Sequence, residues 1–298
     1  MKSPSPQNVL LSPARRNAFA LRLAEWERKL ERSSEKPARK RVHELRVATQ
    51  RLLAEMEYCR AGIPLKRKSA KLLRAWQKQG RQLRRRMGAV RDLDVALEGL
   101  TRLERSAQMA GDRSCRVEAV CFRRILCEQR RQAARQLKKA IGKKAERRRE
   151  LCGQLGASTS GEMAQLKRIA PREIAGFLQK LVDEFLPLEA EQLHRFRKRV
   201  RQLRSLLEYL SGESLWARNL AAWLRPMQVS VGRWRDLCVL RQLAVQAHAG
   251  QLADLIAARE EDALQAALEC CRMRLTAFYD SSESIIGGIS AERERTSV

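Results

Sequence analysis

Two stretches of this chain repeat one pattern 151 residues apart, and that echo constrains the fold more than any other feature. His43 to Tyr58 reads HELRVATQRLLAEMEY, and His194 to Tyr209 reads HRFRKRVRQLRSLLEY. Each runs His, then Arg three residues on, then Glu and Tyr fourteen and fifteen residues after the His. Two of the chain's three histidines hold this equivalent place. In the second copy, His194, Arg197, Arg201, Arg204 and Glu208 fall within about 80° of arc on a helix. Phe196, Val200, Leu203, Leu206, Leu207 and Leu210 cover the opposite side. The leucines therefore face a core and the His/Arg stripe faces away from it. The basic part of the stripe is about 15 Å long at 1.5 Å per residue, which suits an extended anion.

The echo continues past its first helix. Gly88-Ala-Val-Arg91-Asp92-Leu-Asp94 is answered by Gly232-Arg-Trp-Arg235-Asp236-Leu-Cys238, 144 residues on. Between the two motifs, Lys71, Arg74, Lys78, Arg81 and Arg85 recreate the stripe spacing, and Arg218 and Arg225 stand where Arg74 and Arg81 do. Each half thus carries a His helix, a second basic helix and a Gly-x-x-Arg-Asp segment. A duplicated helical module follows, most simply as two helical bundles.

Leu, Ala, Arg, Gln and Glu dominate from Ala14 onward, and runs of β-branched or aromatic residues are absent, so the fold class is all-α. Residues 1–13, with three prolines, read as a flexible lead. Residues 14–152 form the first helical half, and the Gly- and Ser-rich stretch 153–161 reads as the linker. Residues 162–280 form the second half, and 281–298 read as a disordered tail. Gly88 and Gly232 read as interruption points.

The 298 residues carry 61 Lys plus Arg against 34 Asp plus Glu, a net charge of +27. Residues 1–150 hold 41 basic and 16 acidic residues, and residues 151–298 hold 20 and 18. A field of that size attracts polyanions: nucleic acid, an anionic membrane surface or an inorganic polymer. No apolar run approaches the ~20 residues of a membrane span. The N-terminus lacks the apolar core of a secretory signal, so a cytoplasmic location is expected. The eight cysteines form no C-x-x-C pair and read as free, buried thiols.

Plainer readings exist for several features. The basic rows could be solvated helix faces, as could Arg124, Arg131, Arg135 and Lys138. Lys143-Lys144 with Arg147-Arg148-Arg149 reads as a solvated helix end. Asp92 and Asp236 could cap helices or pair with stripe arginines. Glu57 and Glu208 would hold arginines in place. Glu25-Trp26-Glu27-Arg28-Lys29 matches the E-x-E-x-K signature of triphosphate-tunnel enzymes, but that motif belongs on a barrel strand. Here the periodicity is helical, and Glu25 and Lys29 form an ordinary i, i+4 pair. No carboxylate or nucleophile is arranged to orient either histidine, so an enzyme is not expected. The only other His is His248 and adjacent arginines would repel a cation, so no metal or other cofactor is expected.

The two His-x-x-Arg helices, each followed by Gly-x-x-Arg-Asp in an all-helical basic chain, resemble a CHAD domain, from about Ala14 to Tyr279. The resemblance implies two pseudo-symmetric four-helix bundles with a basic surface or pore between them. It also implies non-catalytic binding of inorganic polyphosphate and association with polyphosphate granules. The candidate ligands of the polymer are His43, Arg46, Arg51, Arg74, Lys78, Arg81 and Arg85 in the first half. In the second they are His194, Arg197, Lys198, Arg201, Arg204, Arg218 and Arg225. The first copy departs from the family pattern at Gln50 and Leu53, for which Arg51 and Arg39-Lys40-Arg41 could compensate. The sharper contact set is therefore expected at His194, Arg197, Arg201 and Arg204. Cys238 replaces the second Asp of the repeated segment, a departure expected to be structural. The alternative is a sequence-nonspecific nucleic-acid-binding protein. Against it, no aromatic platform interleaves the basic rows and no helix-turn-helix or zinc-finger spacing is visible.

Overall fold

In a computed structural model the chain is described over residues 13–62, 65–106, 111–159, 171–210 and 215–295. Among these residues nine α-helices follow one another without a strand, as expected. They are α1 (Pro13–Glu35), α2 (Arg39–Gly62), α3 (Arg67–Glu104), α4 (Arg113–Gly142), α5 (Ala145–Thr159), α6 (Pro171–Phe185), α7 (Leu193–Leu210), α8 (Leu215–Gln246) and α9 (Gly250–Arg295). A 3-10 turn, Ala190–Gln192, leads into α7.

The helices form two compact units whose bounds differ from the contiguous halves read from the sequence. One unit comprises Met1–Arg91 with Arg131–Arg168, and the other Asp92–Arg130 with Ile169–Val298. The cause lies in α3 and α4, which are 38 and 30 residues long. The end of α3 and the start of α4 make their contacts with α8 and α9. A Cβ on Gly99 would stand 3.1 Å from Leu240 Cδ2, and Glu118 accepts the backbone N–H of Leu252 at 3.0 Å. Nor is 153–161 a linker over its described length. Residues 153–159 are the last turns of α5, held by the buried Leu151, Cys152 and Leu155. Burial of that stripe outweighs the low helix propensity of Gly153 and Gly156. Residues 160 and 161 lie outside the described residues, as does the expected lead except Pro13, which begins α1. The stretch expected as a disordered tail continues α9 to Arg295, because extending an existing helix needs no new nucleation. Gly88 and Gly232 likewise do not interrupt; each lies inside a helix, α3 and α8 respectively.

Buried positions follow the helical period in both copies. On α2 they include Val42, Leu45, Thr49, Leu52 and Met56; on α7 they include Leu193, Phe196, Val200, Leu203 and Leu207, each 151 residues on. On α3, Leu73, Trp76, Gly80, Leu83 and Met87 are matched on α8 by Ala217, Leu220, Leu224, Met227 and Val231, each 144 residues on. This row turns one face of each helix inward and leaves the basic row outside.

In the first unit the core centres on Trp26 and Trp76, which meet edge to face at 5.1 Å between centroids. Both indole N–H groups are satisfied. Trp26 donates to Thr49 Oγ1 at 2.8 Å and Trp76 to Cys152 Sγ at 3.3 Å. Glu55 is buried here and held by Arg22 through two hydrogen bonds, although burial still pushes its carboxyl up. Arg148 departs from the expected solvated helix end. It is buried and donates to Ile141 O at 2.8 Å and Ala140 O at 3.0 Å, which satisfies carbonyls at the end of α4. The second unit has its own core around Phe185 and Phe196, 5.3 Å apart, with Leu224, Met227, Leu275 and Phe278.

Gly80 gives a test of the first core. A Cβ there would lie 2.9 Å from Trp76 Cζ3 and 3.4 Å from Leu53 Cδ2. Gly80→Ala should destabilise the protein by about 1–3 kcal/mol through overpacking, despite the better helix propensity of alanine. The denaturant midpoint reads this directly, and an unchanged or raised midpoint would show that Trp76 has room to move.

Candidate functional site

In the first unit, α2 and α3 carry the candidate residues. His43 is exposed at the outer edge of α2, and Arg46, one turn on, is half-buried with its Nε inside. An arginine so placed packs its stem and presents its far end. The imidazole is held below the usual histidine range. Partial burial is the main cause, followed by the positive charges of Arg91, Arg46 and Arg39, while Glu44 pulls the other way. Arg91 comes from α3, so the arginine of Gly-x-x-Arg-Asp is brought to the histidine of His-x-x-Arg.

The second unit repeats this arrangement with its own residues. His194 is exposed on α7, and Arg197, Arg201 and Arg204 follow it, half-buried. Burial again leads in lowering its pKa, followed by Lys198, Arg235, Arg197 and Arg201. Arg235 comes from α8 and is the counterpart of Arg91. Neither arginine was among the candidates drawn from the sequence, although the repeated Gly-x-x-Arg-Asp segment was the signal for both.

Other basic residues of α7 are kept apart by helix face. Arg195 and Arg199 turn to Glu184 of α6, with Nε–Oε distances of 3.2 and 3.7 Å, and Arg195 also lies over the Phe185 ring. The carboxylates at the ends of the stripes act as expected. Glu57 takes Arg81 of α3 at 2.9 Å, and Glu208 takes Arg204 at 2.7 Å. Arg204 also donates to Gln228 Oε1 of α8 at 2.9 Å.

The remaining candidates are placed as follows. Arg74, Lys78, Arg81 and Arg85 are all exposed along α3, as is Lys71. Arg218 and Arg225 are exposed on α8. Arg51 is exposed but lies 100° round α2 from Gln50, and its charge acts on Glu25 of α1. It therefore serves the α1 side of α2 and does not fill the gap in the stripe. Leu53 breaks that stripe because it is a core residue, 4% exposed and packed near Gly80. The second copy has the opposite assignment, with Arg204 at the Leu53 position and Leu224 at the Gly80 position. Of the basic run before His43, Arg39 joins the histidine's surroundings. Arg41 instead donates to Arg32 O at 2.8 Å and closes the end of α1.

Asp92 and Asp236 lie inside α3 and α8, so neither caps a helix. Asp94 is buried and accepts from Arg130 Nε at 2.9 Å. Its counterpart Cys238 donates to Glu260 Oε1 at 3.3 Å, and Glu260 also holds Arg241 at 2.8 Å. The substitution thus trades one polar support for another. Cys121 and Cys127 are exposed, contrary to the expectation of buried thiols, because they fall on the outward face of α4. Cys152 and Cys271 are buried, and burial pushes each thiol up to about 12. Such thiols are not thiolate nucleophiles at neutral pH. Glu25–Lys29 is the predicted i, i+4 pair, at 2.5 Å within α1. Among the described residues, no group of three or more His, Cys, Asp or Glu is placed to hold a metal ion. No described helix is long and apolar enough to cross a membrane.

What this arrangement can do chemically is hold phosphate-like anions. Each unit offers a row of guanidinium groups with an imidazole at one end, and arginine gives charge-assisted, often bidentate hydrogen bonds to such oxygens.

Comparison with known proteins places these features. The family model for the CHAD domain matches residues 17–245. The crystal structure of the CHAD domain from the plant Ricinus communis is similar to this chain, with a TM-score of 0.59 and 21% sequence identity. That similarity covers 98% of this chain and 96% of the plant chain, and it shows a shared fold. No curated protein matches the sequence. A match over most of the chain, with both histidine helices and both Gly-x-x-Arg-Asp segments inside it, means that the chain belongs to the CHAD domain family.

Proposed function

We propose that this chain binds inorganic polyphosphate, without a catalytic step, and that this attaches it to polyphosphate granules. The observation that carries the reading is the convergence, in each unit separately, of an exposed histidine, the arginine of Gly-x-x-Arg-Asp and a row of stripe arginines. Family membership supports it, since CHAD domains are associated with polyphosphate binding. Successive positions in each row are separated by about one helical turn, 5.4 Å, so a polymer of like phosphate units can engage several at once. Recognition of this kind reads charge and spacing and no sequence. His43 and Arg46, with Arg91, would contact the polymer in the first unit, reinforced by Arg74, Lys78, Arg81 and Arg85. In the second, His194, Arg197, Lys198 and Arg201 would do so with Arg235. Arg204 is held by Glu208 and Gln228, and Arg218 and Arg225 extend the row.

Long-chain polyphosphate should displace duplex DNA from the protein at equal phosphate concentration and equal salt. Fluorescence anisotropy of labelled DNA measures this. If DNA displaces polyphosphate instead, the nucleic-acid reading takes its place.

The histidines give a pH signature. In the empty protein both are held below the ordinary value of about 6.5. A bound polyanion favours the imidazolium form and raises them, so the complex binds more protons than its parts. Affinity should then strengthen as pH falls through the histidine range and level off once the free protein's histidines are protonated. The same lowered values make the empty protein's stability rise with pH across the window up to about 6.5, since there the unfolded chain binds more protons. Isothermal titration between pH 5 and 8 should show proton uptake that disappears in a His43→Ala/His194→Ala double variant. Uptake that persists in that variant would remove the histidines from the site.

A further inference from the structure

Gly88 and Gly232 extend the two basic rows. Arg74, Arg81 and Gly88 are seven residues apart in succession, and so are Arg218, Arg225 and Gly232. Seven residues fall about 20° short of two full turns, so each glycine stays on the face of its row. Each also stands one turn before the arginine that acts on the histidine, Arg91 in one unit and Arg235 in the other. Both rows therefore lack a side chain where they meet the His–Arg cluster.

Among the described residues, neither backbone conformation nor packing calls for a glycine at these positions. Both are inside helices, where alanine is the better residue. No described glycine has a positive φ, so the backbone does not require one. A Cβ at Gly88 or Gly232 would meet nothing within 4 Å, so packing does not require one either. Gly80 is the contrast, since there the Cβ would press on Trp76. Gly111, Gly142, Gly153, Gly156, Gly176 and Gly250 are also open at Cβ, but none of them stands on the basic rows of α3 and α8.

We infer that Gly88 and Gly232 are clearance positions, where an unsubstituted phosphate chain lies against helix backbone beside the His–Arg cluster. This rests on the polyphosphate reading and adds a determinant of which polyanion is accepted. Polyphosphate carries only oxygen along its chain and can approach a bare helix surface closely. A nucleic acid carries a sugar on either side of each phosphate, and its phosphates stand farther off. A side chain at either glycine would hold polyphosphate away from Arg91 or Arg235. Charge-assisted hydrogen bonds need about 2.7–2.9 Å, so those contacts would be lost.

The test compares three double variants with the wild type: Gly88→Leu/Gly232→Leu, Gly88→Ala/Gly232→Ala and the control Gly153→Ala/Gly176→Ala. Affinity is measured for long-chain polyphosphate and for a short DNA duplex, along with the thermal midpoint. The leucine variant should lose about tenfold or more in polyphosphate affinity, the size of one charge-assisted hydrogen bond, and keep its DNA affinity within about twofold. Both alanine variants should melt higher by about 2 °C or more, and the control should bind as the wild type does. A leucine variant that binds polyphosphate as well as the wild type overturns the inference while the functional reading stands. So does an equal loss for both polymers, or a lowered midpoint in Gly88→Ala/Gly232→Ala. A wild-type protein that fails to bind polyphosphate removes the functional reading, and the clearance role with it.

Discussion

Like charges one helical turn apart repel, and the arrangement of each unit follows from containing that repulsion without cancelling it. Burial of the opposite face fixes each helix, so the basic row cannot turn away. On α7, Leu193, Phe196, Val200, Leu203 and Leu207 supply that anchor. Carboxylates stand at the edges of the rows, where Glu57 takes Arg81 and Glu208 takes Arg204. Both pairs are partly exposed, so they orient side chains more than they stabilise the fold. At one end of each row, the histidines stay neutral to a lower pH than usual because of partial burial and the surrounding cations. A polyanion would relieve this repulsion, which couples binding to proton uptake.

The two copies manage the same constraint differently. In the first, the stripe gives up one position to the core, where Leu53 fills space that the small Gly80 leaves beside Trp76. In the second, Arg204 occupies the stripe position, and a leucine, Leu224, fills the position of Gly80. Bulk has moved from one helix to the other. The first copy has instead a longer exposed row on α3, from Lys71 to Arg85. A polymer that binds by total charge can be served by either solution.

Much of this was legible in the sequence because a helix maps spacing onto faces. The buried and exposed rows of α2 and α7, the Glu25–Lys29 pair and the Arg204–Glu208 pair all follow from a period of 3.6. What was not legible depends on contacts distant in sequence. The division of α3 and α4 between two units follows from which helices their ends meet, and no local pattern encodes that. Arg91 and Arg235 were visible as repeated residues, but their proximity to His43 and His194 comes from helix packing. Gly153 and Gly156 read as a linker because local propensity cannot weigh the burial of Leu151 and Leu155. Arg51 looked like a substitute for Gln50 in a one-dimensional count, yet 100° of rotation sends it to another neighbour.

The central claim is that rows of guanidinium and imidazole groups neutralise several phosphates at once. The most direct measurement is polyphosphate affinity as a function of salt. Log affinity should fall linearly with log salt concentration. If six or more phosphates are engaged, the loss should be about 10³-fold or more between 50 and 200 mM. An affinity that stays flat across that range would contradict the account, because no mechanism built on these charged rows can be indifferent to salt.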